Sequence, residues 1–505
     1  MKSKLFGILL FIESLALLVS AAVAGHYNVR AGETDVMAFL NSAAFTGLVG
    51  LVLYVFGILT QDKKLRLKDT YLVVGLSWVL FSAFGMLPFI LQGTFDNCSN
   101  AFFDKCSNAF FETMSGFTTT GSSVIDVESQ PHGILFWRSL TQWLGGLGVV
   151  VFTLAFIPSV AKSSKKSALY AAETTGLGVE KLAPKMQNTA RNLWVIYIIL
   201  TVSCGLAYWH GGMGLFDSVC HAMTTIATGG FSTHGDSIKF FHSAYLEYAC
   251  AFFMLLSGIS FSMYYFAFTR RFEAIRKNEE LKWYLLSVVI FTAVFVGLFY
   301  FWGDVKGTGG EKGLDFEGKV RTAFFHVSAL VSNTGFQGQC SNYELWGKHF
   351  TFLTLFLMVI GGCAGSTSGG VKLIRLIVVY KYVKMALKEL VHPTGMFSIK
   401  VSNQPIEGSA IRHVCVFFSL FILLLMVNMV ALTATGMELD NALTAFLACF
   451  SNYGLGTGVT GPNSQGGFSL LPNAAKWILS FDMLVGRLEI FTIFMLFTPA
   501  FWKAK

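Results

Sequence analysis

The chain has 505 residues, 54% hydrophobic and 13% charged, with a mean hydropathy of +0.59. Soluble chains are roughly 25% charged, so this composition describes a polytopic membrane protein and leaves no room for a large soluble catalytic domain. Nine prolines, fifty glycines and fifty phenylalanines exclude a disordered chain, and nine cysteines without a CxxC pair argue against a zinc or thioredoxin-like site.

Long apolar runs predict ten spans, near 5–25, 37–60, 71–92, 133–158, 192–210, 243–269, 283–303, 347–381, 411–436 and 474–502. The first imitates a cleavable signal peptide, through Lys2, Lys4 and Ala22-Val23-Ala24. Its apolar run exceeds the about 7–15 residues of a signal h-region, so a retained span is expected. Four shorter apolar stretches, near 107–120, 214–228, 319–334 and 440–453, each end at a glycine. They fall short of the roughly 20 residues needed to cross, and half-helices of this kind survive at membrane depth only against protein or a water-filled path.

Basic residues set the orientation. Lys63, Lys64, Arg66 and Lys68 follow the second span, Lys162 to Arg191 the fourth, Arg270 to Lys282 the sixth and Lys372 to Lys400 the eighth. These are expected to be cytoplasmic loops, with both termini on the same side. The opposite connections are poorer in basic residues, although 304–346 carries Lys306, Lys312, Lys319 and Arg321. This bias accounts for the formal charge of +8 without nucleic acid.

The half-helices align as an internal repeat on FETMSGFTTTG, VCHAMTTIATG, FHVSALVSNTG and TAFLACFSNYG. Thr118, Thr119, Thr120 and Gly121 are matched with Ile226, Ala227, Thr228 and Gly229, with Ser332, Asn333, Thr334 and Gly335, and with Ser451, Asn452, Tyr453 and Gly454. The expected fold is an all-α membrane protein of four helix, half-helix, helix pore repeats around one ion pathway, plus two extra N-terminal transmembrane helices. Its divisions are 1–70 for the extra helices, 71–160 for repeat 1, 161–270 for a cytoplasmic loop and repeat 2, 271–385 for repeat 3 with an interrupted second helix, and 386–505 for a cytoplasmic loop and repeat 4. Half-helix C-termini carry partial negative charge that favours a cation, and glycine lets successive carbonyls turn inward to replace a water shell. The aligned positions hold no carboxylate, which argues against a calcium site.

At these residues the chain resembles the Trk/Ktr/HKT superfamily of potassium transporters, on its Trk branch. The resemblance covers almost the whole chain and includes Trp143-Leu144-Gly145-Gly146-Leu147-Gly148, the segment Gly361 to Gly370, and Gly486-Arg487-Leu488-Glu489. It implies potassium uptake across the bacterial inner membrane, with the four aligned segments as ion-binding filter and four glycines as the potassium-preferring form. It also implies a homodimer, a cytosolic nucleotide-binding regulatory subunit of the TrkA kind, and no cofactor beyond the transported ion. The basic loops suit an acidic protein surface or anionic lipid. The tandem copy Cys98-Ser99-Asn100-Ala101-Phe102-Phe103 and Cys106-Ser107-Asn108-Ala109-Phe110-Phe111 departs from the family and leaves the start of the first pore helix open. Cys98 and Cys106 are near enough in sequence to pair, which geometry alone decides.

Gly361, Gly362, Gly365, Ser366, Thr367, Ser368, Gly369 and Gly370 lack the Gly-Lys-Ser/Thr ending of a phosphate loop and lie inside a 35-residue apolar segment, so a break is required there. Close packing through small residues is the plain reading, and the resemblance implies a gate beneath the filter. Arg487, inside the last span, must face protein or water. It is read either as a pair with Glu489 or Asp482 or, by resemblance, as a pore-facing gate residue. Arg138 and Glu247 are placed near span ends, where snorkelling is expected. The ten histidines show no metal spacing, and no GxSxG elbow falls in a plausible pocket. A sodium- or proton-coupled secondary cation transporter is the alternative, although such folds usually show two inverted repeats.

Overall fold

The computed structural model describes residues 2–60, 67–96, 101–148, 186–301, 314–340, 343–395, 397–461 and 467–503. The basic stretches at 61–66 and 161–185, the far half of the expected fourth span, and Cys98 lie outside the described residues, so the Cys98–Cys106 question does too.

Two long helices, α1 (Lys2–Ala31) and α2 (Val36–Leu59), form an N-terminal hairpin. Repeat 1 comprises α3 (Leu67–Gly85), the half-helix α4 (Phe102–Phe117) and α5 (His132–Gly146). Repeat 2 has α6 (Met186–His210), half-helix α7 (Leu215–Ile226), then α8 (Ala244–Ser257) and α9 (Phe261–Phe268). Repeat 3 has α10 (Glu279–Phe301), half-helix α11 (Phe316–Val331), then α12 (Lys348–Ile360) and α13 (Leu373–Val391). Repeat 4 has α14 (Gly408–Ala434), half-helix α15 (Leu439–Phe450), then α16 (Asn473–Leu488) and α17 (Ile490–Phe497). A two-stranded antiparallel hairpin, β1 (Lys400–Val401) and β2 (Gln404–Pro405), sits between α13 and α14.

At about 1.5 Å per residue, half-helices of 12 to 16 residues reach roughly 18–24 Å and cannot cross a core of about 30 Å. Ten crossings were expected, but among the described residues six single helices are long and apolar enough to cross. A seventh exists only if α8 and α9, bent by 89°, count as one. In repeats 2, 3 and 4 the second helix is the one interrupted, and in repeat 1 α5 ends at Gly146. Hydropathy reads through these breaks because most residues there are small or apolar, with Lys372, Arg487 and Glu489 too few to interrupt a run.

The apolar core has a larger body joining the N-terminal hairpin with repeats 1, 2 and 4 and with Phe325, Ala329, Phe336 and Val371 of repeat 3, and a smaller one in repeat 3 around Tyr284, Phe295, Phe299 and Phe350 that reaches Tyr453 of repeat 4. The hairpin is clamped to repeat 1 at its turn: Glu33 accepts from the His132 amide at 3.0 Å and meets its Nδ1 at 2.6 Å, and Tyr27 stacks on the same ring at 3.9 Å. A carboxylate at a helix start is favoured by the helix dipole.

Small residues bring α1 and α2 together. A Cβ on Gly7 would lie 2.6 Å from Gly50 O and 2.7 Å from Tyr54 N, and one on Gly57 2.6 Å from Lys4 N. These obstacles are backbone and cannot swing aside. Gly7→Leu is therefore expected to lower stability by about 1–3 kcal/mol, the range for overpacking. Thermal unfolding in detergent measures it, and an unchanged midpoint would mean that the hairpin is not held by this contact.

Candidate functional site

All four half-helices end in the same hydrogen-bonded turn. In repeat 1 Thr119 N bonds Gly116 O at 3.0 Å and Thr120 N bonds Ser115 O at 2.9 Å. The same pair of bonds recurs from Thr228 and Gly229 to Thr225 and Thr224, from Asn333 and Thr334 to Leu330 and Ala329, and from Asn452 and Tyr453 to Cys449 and Ala448. This is the Schellman ending, which requires one left-handed residue just past the helix. Thr119, Thr228, Asn333 and Asn452 fill it, with φ of 55°, 53°, 54° and 53°. The turn redirects each chain out of its helix axis into a short non-helical segment.

This ending corrects the sequence alignment. Thr228 is the counterpart of Thr119, so Ala227, Thr228, Gly229 and Gly230 match Thr118, Thr119, Thr120 and Gly121, while Ile226 is the last helical residue, like Phe117. The Gly229-Gly230 doublet let a one-residue slip place Thr228-Gly229 on Thr120-Gly121. Repeats 3 and 4 stand as aligned.

A closed ring follows. A Cβ on Gly121 would collide with the carbonyl oxygen of Gly229, one on Gly230 with that of Thr334, one on Gly335 with that of Tyr453, and one on Gly454 with that of Thr120. Each glycine meets the carbonyl preceding the next repeat's glycine, and the fourth meets the first. These glycines have φ between 77° and 91°, where a side chain is also strained. A Cβ on Gly229 would instead run into the Gln142 side chain.

Side chains brace the ring from behind. Thr118 and Thr120 hydroxyls meet at 2.8 Å, and those of Ser332 and Thr334 at 2.7 Å. Asn333 Nδ2 donates to Ser451 O at 3.0 Å and Asn452 Nδ2 to Thr120 Oγ1 at 2.8 Å, each reaching the next repeat. Arg138 and Glu247 do not snorkel. Arg138 is buried against Glu112 at 2.8 Å and donates to Ser232 O at 3.0 Å, while Glu112 accepts from Val124 N at 2.8 Å. Glu247 accepts from Gln339 N at 2.6 Å and pairs with Arg321 at 2.8 Å. A buried charge near a span end is tolerable because its partner comes from a distant segment, which hydropathy does not report.

The segment Gly361 to Gly370 joins α12 to α13 against the C-terminal ends of the half-helices. Thr367 Oγ1 donates to Ile226 O at 3.1 Å, Gly369 packs so closely on Ser451 O that a Cβ would overlap it, and Ser368 Oγ lies 3.4 Å from Asn333 Oδ1. Within the segment Ser368 Oγ accepts from Gly362 N at 2.9 Å and Ser366 Oγ donates to Cys363 O at 2.7 Å, while Gly365 O accepts from Phe261 N at 3.0 Å. Gly361 packs against Gly369 and Gly370, which closes the segment on itself.

Arg487 crosses this junction: Nη1 donates to Thr367 O at 2.6 Å, and Nη2 to Gly145 O at 2.7 Å and Gly146 O at 2.6 Å. The carboxylates that the sequence offered it have partners of their own, Glu489 with Arg375 at 2.5 Å and Asp482 with Asn428 Nδ2 at 3.1 Å. Beyond the segment lies a cavity of about 620 Å³ lined by Glu280, Ser366, Lys372, Arg487 and Glu489 among others. Lys372 is buried there with its Nζ on Ser368 O, although its sequence position reads as an ordinary loop lysine.

Gln142 and Glu112 also escaped sequence reasoning. The usable signal was a pattern before each break: Gln142-Trp143-Leu144-Gly145-Gly146, Met254-Leu255-Leu256-Ser257-Gly258, Met358-Val359-Ile360-Gly361-Gly362 and Met483-Leu484-Val485-Gly486-Arg487. Structure supports it, since a Cβ on Gly145 would overlap Phe117 O as one on Gly486 would overlap Phe450 O. Arg487 thus stands where the other repeats have Gly146, Gly258 and Gly362.

Four short half-helices converging on one ring, among long apolar helices, define the class: a polytopic helical membrane protein. The chain belongs to the TrkH family, described as cation transport protein, whose profile matches residues 37–504; it is a transport protein and not an enzyme. It is 34% identical over 505 residues to the Trk system potassium uptake protein TrkH of Escherichia coli K12, covering 99% of both chains. It is 35% identical over 447 residues to the protein of that name from Halomonas elongata, covering 87% of each. The crystal structure of the potassium transporter TrkH from Vibrio parahaemolyticus matches with a TM-score of 0.81 at 30% identity over 99% of each chain.

The corrected register has a direct consequence. Gly230→Ala drives a Cβ into a backbone carbonyl at a φ of 77°, whereas Gly229→Ala meets a side chain that can move. Rubidium uptake into vesicles is expected to fall much further, though still measurably, in the first than in the second. The reverse order would restore Gly229 as the counterpart of Gly121.

Proposed function

We propose that this protein carries potassium into the bacterial cytoplasm through the ring at Thr118–Gly121, Ala227–Gly230, Ser332–Gly335 and Ser451–Gly454. The observation that carries the reading is the cyclic contact of four glycines with four carbonyls. Four inward carbonyls at the C-terminal ends of helices suit a bare monovalent cation, replacing its water without a fixed carboxylate. The relatives named as potassium uptake proteins support potassium as that cation.

The Gly361–Gly370 segment and Arg487 act as the closed gate. A guanidinium held by three carbonyls places positive charge on the path of a cation, and the segment occupies the space behind the filter. Opening would require Arg487 to release Thr367 O. The same reading places both termini in the cytoplasm, bounds the repeats near 71–160, 161–270, 271–385 and 386–505, and includes a homodimer in the inner membrane. A cytosolic nucleotide-binding subunit of the TrkA kind would bind the basic cytoplasmic face, consistent with relatives named as parts of a Trk system.

Rubidium flux into proteoliposomes without a sodium or proton gradient tests this. Uptake should occur, should be inhibited more by potassium than by sodium, and should rise in Arg487→Ala without any regulatory subunit. Uptake that requires an imposed sodium or proton gradient would establish the coupled secondary transporter instead. Unchanged or lower flux in well-folded Arg487→Ala protein would make the arginine a structural tie.

A further inference from the structure

Gln142 occupies a place that three of the four repeats give to methionine: Met254, Met358 and Met483. All four side chains are fully buried. An amide buried without partners is costly, so its presence among three thioethers calls for bonds at both ends. Both are made. Nε2 donates to Gly229 O at 2.7 Å, and Oε1 accepts from Phe231 N at 3.1 Å. These two backbone groups flank Gly230, and Gly229 O is the carbonyl that faces Gly121 in the ring.

The clamp answers a local deficiency. In repeats 3 and 4 the left-handed residue is asparagine, whose amide reaches both its own second helix and the next repeat: Asn333 Nδ2 bonds Met358 O at 2.7 Å and Ser451 O at 3.0 Å, and Asn452 Nδ2 bonds Met483 O at 3.1 Å and Thr120 Oγ1 at 2.8 Å. Repeats 1 and 2 have Thr119 and Thr228 instead. Thr228 Oγ1 turns to its own Ala227 O at 2.7 Å, and Thr119 Oγ1 is buried without a hydrogen-bond partner among the described residues. Gln142 therefore supplies from α5 the tie between repeats 1 and 2 that asparagine supplies elsewhere.

We infer that Gln142 is a positioning residue that sets selectivity among alkali cations. It fixes the peptide units on both sides of Gly230, and its amide draws on the lone pairs of one of the four ring carbonyls, so that the field at the ring depends on its donation. This rests on the reading of the ring as the filter.

Two variants separate the inference from that reading. Gln142→Met keeps an unbranched chain of similar length and makes the site like the other repeats, but offers neither donor nor acceptor. Potassium preference over sodium, from inhibition of rubidium uptake in proteoliposomes, should fall about fivefold, the equivalent of one net hydrogen bond. The maximal uptake rate should change less than the preference. Gln142→Glu presents the same donor and acceptor when its acid is neutral and loses the donor when ionised. Its preference should be near wild type at acidic pH and fall as pH rises, which a purely packing role would not produce. Gly230→Ser is measured in parallel. If Gln142→Met, with a wild-type unfolding temperature, keeps the wild-type preference while Gly230→Ser loses it, the role of Gln142 is overturned and the filter stands. If Gly230→Ser also keeps the preference, the filter reading itself fails. Should Gln142→Met not fold, the glutamate variant decides: a preference below wild type and constant across pH overturns the inference.

Discussion

Everything in this structure depends on how four short helices stop. A Schellman ending needs one left-handed residue, normally glycine and sometimes asparagine, and here two of the four are threonine. A β-branched residue in that conformation costs of order 1–2 kcal/mol and persists only where surroundings over-determine it. Glycine in these places would lower the strain and loosen the turn. The glycine is held back for two residues later, where the chain must meet the carbonyl of the neighbouring repeat with no side chain between them. Strain at one position and bareness two residues later fix the direction in which each chain leaves its helix.

The second helices serve this arrangement. In repeats 1 and 4 the second helix approaches the end of its own half-helix through Gly145 and Gly486, and the four second helices stop at Gly146, Ser257, Ile360 and Leu488. Breaking exposes backbone carbonyls at membrane depth, which must find donors or line a polar space. Arg487 satisfies three of them across repeats 1 and 3. The same carbonyls make the arginine tolerable there, because its charge is spread over bonded oxygens. One contact thus answers two buried demands.

Much of the fold was legible because spans and half-helices differ in length, and length survives in a linear sequence. The half-helices expected near 107–120, 214–228, 319–334 and 440–453 are α4, α7, α11 and α15. The register of the aligned segments failed in one repeat, where Gly229-Gly230 offered two equivalent matches and only the backbone geometry at Thr228 chose between them. Breaks in the second helices were hidden because glycine and serine do not lower hydropathy enough to interrupt a run; only the third repeat, where twelve residues separate α12 from α13, announced itself by its excess length. Arg138 and Glu247 were misread for a different reason. Their partners Glu112 and Arg321 lie 26 and 74 positions away, so burial could not be told from snorkelling without the fold.

The most direct measurement is the position of the ion. Anomalous diffraction from crystals grown in rubidium should show density on the axis at the level of the carbonyls of Thr120, Gly229, Thr334 and Tyr453, lost when Gly230 carries a side chain in protein that still folds. Rubidium density confined to the cavity beside Lys372 and Glu280, with none at that ring, would contradict the account.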